Sequence, residues 1–506
     1  MNTCYKTEEK IDNPDSRYYS KVRVPWGDVN CPYPHRSFWY GTYKEMFEKP
    51  HHEVENERFE TFKDSDVYAN FVGTLPIITV CKPASLRKLK KCSTKPLFNM
   101  LNAVIQSTLE YFETSRWRKC KYKVKEKLSG ENDIFEYSVD EVVDLAFQLV
   151  NRLWNIADFE DPIDVTMLFY DFAFEATFRT LLLMDYEVIN DPEKKLTGKI
   201  QRVFRTGDKI TKNLIFHSHF SRIARRFGHQ MDHEELMSFR NDVYKLIRTN
   251  WLEDETSFYL LNSIRDAMKG TDYSDDSETT KREHLLDDMT NLCVYFLLFG
   301  SHKVSTLASM VCYLLAKHED VQEYLRGRIQ DAVEFDNGCL KYRSLDSIKD
   351  LETIIKETLR LYPPVSRIDR KADARIRVAG DRLEIPKDAF MSIPVCGIHR
   401  NSDVYIDPAG FDPSRFYRDS LSKYEFLPFG LGVRKCAGEA FGLMLTKILI
   451  IYIVGNFKID LYPLNNEMPP KFRPSYQGLL QIEELPLYFS PLKDSPFKMR
   501  EITMGS

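Results

Sequence analysis

None of the ten cysteines, at positions 4, 31, 81, 92, 120, 293, 312, 339, 396 and 436, lies in a C-x-x-C pair or a dense cluster. That spacing excludes a zinc ribbon and a small disulfide-stapled scaffold, and it suits a reducing compartment where a cysteine acts singly. Glycine at 21 and proline at 24 are too few in 506 residues for a collagen-like or low-complexity chain. Charge of one sign is also lacking: 71 basic against 75 acidic residues leave a net charge of -4, which excludes a protein that coats nucleic acid. Long apolar runs are missing as well. Leu292 to Gly300 stops at His302 and Lys303, far below the ~20 residues of a membrane span, and Lys447 interrupts Leu443 to Val454. Residues 1 to 30 are polar and charged, without the layout of a signal peptide, and no repeat recurs at a solenoid period.

What remains, 43% hydrophobic and 29% charged residues, describes a packed globular chain. Gly73 to Cys81 reads as a strand of β-branched residues. Apolar positions at three and four spacing predict helices over Val139 to Ala157 and Val165 to Leu183, then a long core helix over Leu285 to Lys317. Helices over Val321 to Ala332 and Leu351 to Leu361 follow, the latter stopped by Pro363 and Pro364. Short strands (Arg375 to Ile385, Phe390 to Pro394), a helix from Cys436 to Ile453 and a terminal hairpin from Leu479 to Phe489 complete the chain. The fold class is therefore mainly α with a β-rich minor part (α+β), in one domain.

The sharpest local feature is Phe429-Gly-Leu-Gly-Val-Arg-Lys-Cys436-Ala-Gly438, a glycine-punctuated loop that delivers one cysteine to a helix start. Glycines open backbone turns closed to other residues, so amides and the helix dipole converge on a thiolate. Arg434 is placed to neutralise a carboxylate of a flat ligand lying on the loop. In KETLRLYPP, Glu357 and Arg360 share a helical face, a spacing that a solvated surface pair also explains. Arg415 stands between aromatics in Phe411-Asp-Pro-Ser-Arg415-Phe416.

In this order the three motifs resemble the signature set of the cytochrome P450 superfamily: F-x-x-G-x-R-x-C-x-G, ExxR and P-x-R-F. The resemblance extends over residues 20 to 490, including VPWGDVNCPYPHRSFWYG, YLLAKHEDVQEYLRGRI and IPVCGIHR, and Gly478-Leu-Leu-Gln481 is similar to the animal microsomal clan of drug-oxidising and insect detoxifying members. It implies a single domain over 20–495, flanked by a polar segment 1–19 and a tail 496–506, with a long central helix over the heme. Cys436 becomes the axial ligand of a heme b iron, and Glu357, Arg360 and Arg415 a buried charge triad behind the loop. Phe429, Gly430, Arg434 and Gly438 cradle the heme. Trp117, Lys121, Arg367 and Arg434 meet its propionates, Lys121 standing where the family often has arginine and lacking the bidentate fork. Thiolate ligation pushes electron density onto iron and favours dioxygen cleavage.

The central helix departs from that pattern. With YLLAKH in its usual place, Gly300 falls on the family's glycine, while His302 and Lys303 stand where an acid and an alcohol are expected. In monooxygenation that pair organises the water that supplies protons for dioxygen cleavage. Ser305 and Thr306, brought back by a local helix bulge, and His302 as a donor near neutral pH are the substitutes. The alternative is that His302 and Lys303 point away from the heme into a polar pocket. Three readings compete: a monooxygenase fed by an NADPH-dependent reductase, a reductase-independent peroxide isomerase or dehydratase, and a silent heme protein that holds a hydrophobic ligand. The first is favoured, since departures at this helix also occur in functional oxygenases.

By the same resemblance the substrate is contacted by Phe98 to Ile105, Phe296 to Phe299, Val365 to Ile368 and Tyr476 to Leu480, whose apolar and aromatic composition implies a hydrophobic small molecule. A monomer on the cytosolic face of the endoplasmic reticulum membrane is expected. Because no N-terminal anchor is visible, either the anchor is missing from this sequence or contact is peripheral through the apolar entry segment; a cytoplasmic protein is the alternative. His229 and His233, at i,i+4 but without a third ligand, read as solvated helix histidines.

Overall fold

The structure is a computed structural model that describes residues 20–21, 31–37, 39–89, 133–156, 161–182, 186–191, 193, 196–205, 234–253, 278–335, 340, 342–378, 380, 383–418, 421–462, 470–474 and 478–497. The expected site residues Trp117 and Lys121, the segment Phe98 to Ile105, and His229 and His233 lie outside the described residues.

Near the start, helix α1 (His51–Phe62) precedes strands β1 (Val67–Val72) and β2 (Leu75–Val80), an antiparallel hairpin of β-branched and aromatic residues, nearly all buried. The sheet is completed from far along the chain. Strand β5 (Phe390–Ile393) runs parallel to β2, and β4 (Ile368–Lys371) pairs antiparallel with β5, giving the order β1-β2-β5-β4. The helices between β2 and β4 are therefore an excursion from one sheet rather than a separable unit.

That excursion holds α2 (Asp133–Ile156), strand β3 (Ile163–Asp164), α3 (Val165–Leu182), α4 (Thr197–Arg205), α5 (Glu234–Glu253), α6 (Glu278–Tyr295), α7 (Ser301–Lys317), α8 (Glu319–Phe335) and α9 (Lys349–Leu361). Between α6 and α7 the turn Phe296–Gly300 is π-helical, so the long helix is continuous but wider at this point. The Tyr170 hydroxyl of α3 donates to the Leu297 carbonyl inside the turn (3.2 Å), supplying a partner where the helical ladder is disturbed. After the β-rich part, α10 (Glu439–Asn456) is apolar almost all round and buried, as a core helix must be. Its single basic residue, Lys447, reaches Asp346 at 2.9 Å. Two helical stretches, Arg282–Lys317 and Glu439–Asn456, are long and apolar enough to cross a membrane, but 72% and 78% of their apolar windows are buried inside the fold. They are core elements here.

Two boundaries differ from the sequence reading. The last helix starts at Glu439 with Gly438 as N-cap, so Cys436 sits in the turn before it rather than on its first residue. The tail is not a hairpin: Ile482–Glu484 pairs with Lys471–Phe472, whereas β7 (Pro486–Pro491) lies between β6 (Phe457–Leu461) and β3. The alternating buried residues Phe457, Ile459, Leu487 and Phe489 drive that pairing, because they join one inner face against the helical core.

Candidate active site

The cysteine loop is shaped by two glycines. Gly430 and Gly432 have φ of 79° and 66°, a region that other residues enter only under strain. They fold Phe429 back so that its carbonyl accepts from the Cys436 amide at 2.8 Å, with Gly432–Arg434 as a 3-10 turn between them. Cys31, Cys81, Cys293, Cys312 and Cys396 are buried, and burial pushes their thiols up, Cys31 and Cys396 to about 12. Among the six described cysteines Cys436 alone is exposed, so it alone is accessible to a ligand.

Behind the loop, Glu357 and Arg360 are fully buried and form two parallel 2.7 Å hydrogen bonds, so they are not a solvated pair. The remaining Arg360 donors reach the carbonyls of His399 (3.1 Å), Pro408 (2.7 Å) and Gly410 (2.8 Å), which uses all five of its N–H groups. Glu357 also accepts from the Asp412 amide at 2.9 Å and faces Arg415 Nε at 3.4 Å, while Arg415 donates to the carbonyls of Ile406 and Asp407. Three segments distant in sequence are thereby pinned to one helix.

His399 links this cluster to the loop. Its Nδ1 meets the Leu359 carbonyl at 3.2 Å and its Nε2 accepts from the Leu427 amide at 2.9 Å, which fixes the tautomer; burial lowers its pKa to about 3, so it stays neutral. Nothing in the local sequence distinguished this histidine.

Arg367 lies elsewhere than expected. It is buried, contacts Tyr43 Oη, and pairs with Asp369 (3.2 Å) and Glu55 (3.7 Å). The guanidinium beside the cysteine loop is Arg370, buried, with Nη2 3.8 Å from where a Cβ on Gly430 would stand. Alternation along the extended chain that enters β4 explains the exchange: Arg367, just before the strand, and Arg370 within it are three apart and face opposite sides. A second signal was available, since both arginines follow the ExxR helix at short range. Arg434 is half-buried in its 3-10 turn.

The structure brings His302, Ser305 and Thr306 together in the wall of one cavity. Val304 faces α10, with Cγ2 3.7 Å from a Cβ built on Gly442. At 3.6 residues per turn His302 and Thr306 project about 160° from Val304. They line, with Asp164, Gln201, Ser309 and Glu483, a polar cavity of about 160 Å3 to which residues 429–438 contribute nothing. The Ser305 hydroxyl donates to the Thr166 carbonyl at 2.7 Å, and Thr306 Oγ1 lies 3.5 Å from His302 Nδ1. Burial, reinforced by the charge of Lys303, lowers His302 to about 3, leaving it neutral and no source of protons near pH 7. The bulge expected to return a hydroxyl does exist, but it turns Ser305 toward α3.

A larger cavity, about 650 Å3, flanks the loop between α9 and α10, with Ile355, Leu359, Phe429 and Leu443 in its wall and Lys423 and Lys435 beside them. The expected substrate segments around Val365 and Leu479 meet directly: these two residues form a β-bridge, and Leu480 donates to the Pro364 carbonyl at 3.0 Å. Space for a flat group remains on both sides, since a Cβ at Gly300 or at Gly438 would meet nothing within 4 Å. An accessible thiol, buried Arg370, half-buried Arg434 and this open space form a donor set that fits an iron porphyrin.

Comparison with known proteins agrees with the motifs. A family model described as cytochrome P450 matches residues 30–488. Cytochrome P450 3A56 of Fundulus heteroclitus is 23% identical over 83% of this chain and 84% of its own length. Cytochrome P450 6j1 of Blattella germanica is 27% identical over 62% and 61%, and cytochrome P450 6a2 of Drosophila melanogaster 31% identical over 50% of each chain.

Proposed function

The chain belongs to the cytochrome P450 family, and from that premise we propose that it inserts one oxygen atom of O2 into a hydrophobic organic substrate with Cys436 as thiolate ligand of a heme b iron. As a family member it is a heme-thiolate oxidoreductase of the monooxygenase kind. The observation that carries the proposal is the exposed thiol of Cys436 in a loop locked to the buried Glu357–Arg360 cluster. When bound, heme supplies dioxygen activation, one atom entering substrate and the other leaving as water with two electrons and two protons.

The chain's own residues divide the remaining work. Gly430, Gly432 and Gly438 leave room for the ligand plane, and Phe429 closes the loop behind the sulfur. Arg370 and Arg434 are the cations for the propionates, joined by Trp117 and Lys121, while Arg367 holds the entry segment through Tyr43. Val365, Ile368, Leu479 and the aromatics Phe296 and Phe299 orient an apolar substrate and exclude water. His302, Ser305 and Thr306 act at one remove, by holding water in their cavity. Electrons come from an NADPH-dependent reductase, and the setting is the endoplasmic reticulum surface, with the chain as a monomer.

A peroxide isomerase or dehydratase that needs no reductase is favoured by one observation, the turning of Ser305 and Thr306 away from Val304. The reduced carbon-monoxide difference spectrum of the purified protein and of Cys436→Ser tests the assignment. The strongly red-shifted Soret band of thiolate ligation should appear in the former and be lost in the latter. A histidine-like spectrum, or none, overturns it. NADPH-dependent turnover with reductase then selects the monooxygenase; turnover of a hydroperoxide alone selects the isomerase; neither leaves the silent ligand-binding protein.

A further inference from the structure

We infer that Lys303 selects substrates that carry a carboxylate, or a similar anion, on an otherwise apolar body; this rests on the monooxygenase reading and narrows it. Around the central helix Gly300 and Leu307 lie within about 60° of Val304, and Lys303 about 100° from it on the same side, opposite to Ser305. Lys303 is not in the wall of the polar cavity that His302, Thr306 and Ser309 share. Its ammonium instead sits over two rings, 5.9 Å from the centroid of Tyr295 and 5.8 Å from that of Phe299. Tyr295 ends α6 and Phe299 belongs to the apolar turn that follows it, the turn proposed above to contact substrate and to end at the open space at Gly300.

The charge there is poorly compensated. Both ring distances are near the outer limit of about 6 Å for cation–π attraction. Among the described residues no carboxylate forms an ion pair with Lys303, and its nearest polar neighbour in sequence, His302, is neutral and has its pKa lowered further by the Lys303 charge. A half-buried ammonium in apolar surroundings is stabilised by an anion that supplies both charge and hydrogen-bond acceptors. Nothing else among the described residues of that face offers one, so the ligand is the source. The same cation disfavours amines, which would place like charges together in a site of low dielectric.

Spectral titration of the heme-loaded protein tests this with two probes of equal chain length, dodecanoate and 1-dodecanol. The wild type should show the high-spin shift at a concentration about tenfold lower, or more, for the carboxylate. Lys303→Met should abolish the preference, Lys303→Arg should keep it, and Lys303→Gln serves if the methionine variant does not take up heme. Equal affinities in the wild type, or a preference that survives Lys303→Met, would overturn the inference. So would a nitrogen-ligated resting spectrum that disappears in Lys303→Met, because the amine would then be a ligand of the iron. Absence of the thiolate band in the carbon-monoxide spectrum marks failure of the monooxygenase reading instead, and the two failures are separately visible.

Discussion

Replacing Glu357 by alanine should come close to unfolding the protein, and the arrangement around it sets the scale. The substitution leaves the Arg360 guanidinium buried at zero exposure with two of its five donors unpaired, and removes the acceptor of the Asp412 amide. Breaking a buried pair by deleting one partner costs about 3–5 kcal/mol, and an orphaned buried amide about 1–2 kcal/mol more. Set against a total stability of about 5–15 kcal/mol, that is a large fraction. Arg360→Met should cost a similar amount, because it orphans the carbonyls of His399, Pro408 and Gly410. The double variant Glu357→Ala with Arg360→Met is the informative one. Since neither charge is then left alone, it should be less damaging than the two singles added together by about 2 kcal/mol or more. Urea unfolding of the purified proteins, followed by far-ultraviolet circular dichroism, measures all three. Additive losses, or a Glu357→Ala cost below about 1 kcal/mol, would refute the claim that charge compensation holds this cluster together.

Three other outcomes are expected. Gly41→Ala should destabilise by about 1–3 kcal/mol or more in urea, since φ is +64° there and a Cβ would stand 2.3 Å from the Phe71 carbonyl oxygen. Gly327→Ala, inside α8 with nothing within 4 Å, should stabilise by about 0.5–1 kcal/mol, and a loss there would show an unseen contact. His302 and His399, each lowered to about 3 by burial, are neutral when folded, whereas unfolded they take up protons below pH 6.5. Between 6.5 and 3 the unfolded chain therefore binds more protons, and stability should fall on acidification by up to about 1.4 kcal/mol per pH unit for each. Urea midpoints at pH 7.5 and 5.5 check this: His302→Gln should flatten the dependence, and an unchanged slope would remove His302 from the account.

The parts of the fold set by local pattern were legible in the sequence. Val165–Leu182 and Lys349–Leu361 fall within two residues of the periodic segments, because one buried face repeats at helical spacing. The cysteine loop was legible because glycines, arginine and cysteine are adjacent in sequence. What could not be read is what long-range pairing decides. The segment after Leu479 has strand character, but its partners, Lys471–Phe472 for one strand and Phe457–Leu461 for the other, are chosen by which face can join the core. Arg367 and Arg370 are equally plausible cations until the twist and alternation of β4 separate them, and His399 acquires its role from Leu359 and Leu427, residues on either side of it in space.

The central helix shows a subtler limit. Within a regular α-helix each residue advances about 100°, so the apolar stripe upstream would fix the direction of every later side chain. A π-helical turn holds more residues per turn, and five of them set the following segment back by about a quarter of a turn. Phe296–Gly300 is such a turn, and it stands immediately before His302 and Lys303. The phase carried from Leu286, Met289 and Cys293 therefore does not predict which of His302 or Lys303 faces the polar cavity. Contacts beyond the bulge decide it: Val304 against α10 and Ser305 on the Thr166 carbonyl lock α7 from both sides. Once locked, the histidine is committed to the cavity side and the lysine to the Tyr295 and Phe299 rings. The missing acid and alcohol were thus not replaced by residues of similar chemistry in the same place. The change puts a neutral histidine in the wall of the smaller cavity and a lysine over the Tyr295 and Phe299 rings, and the role proposed for each follows from the face it occupies.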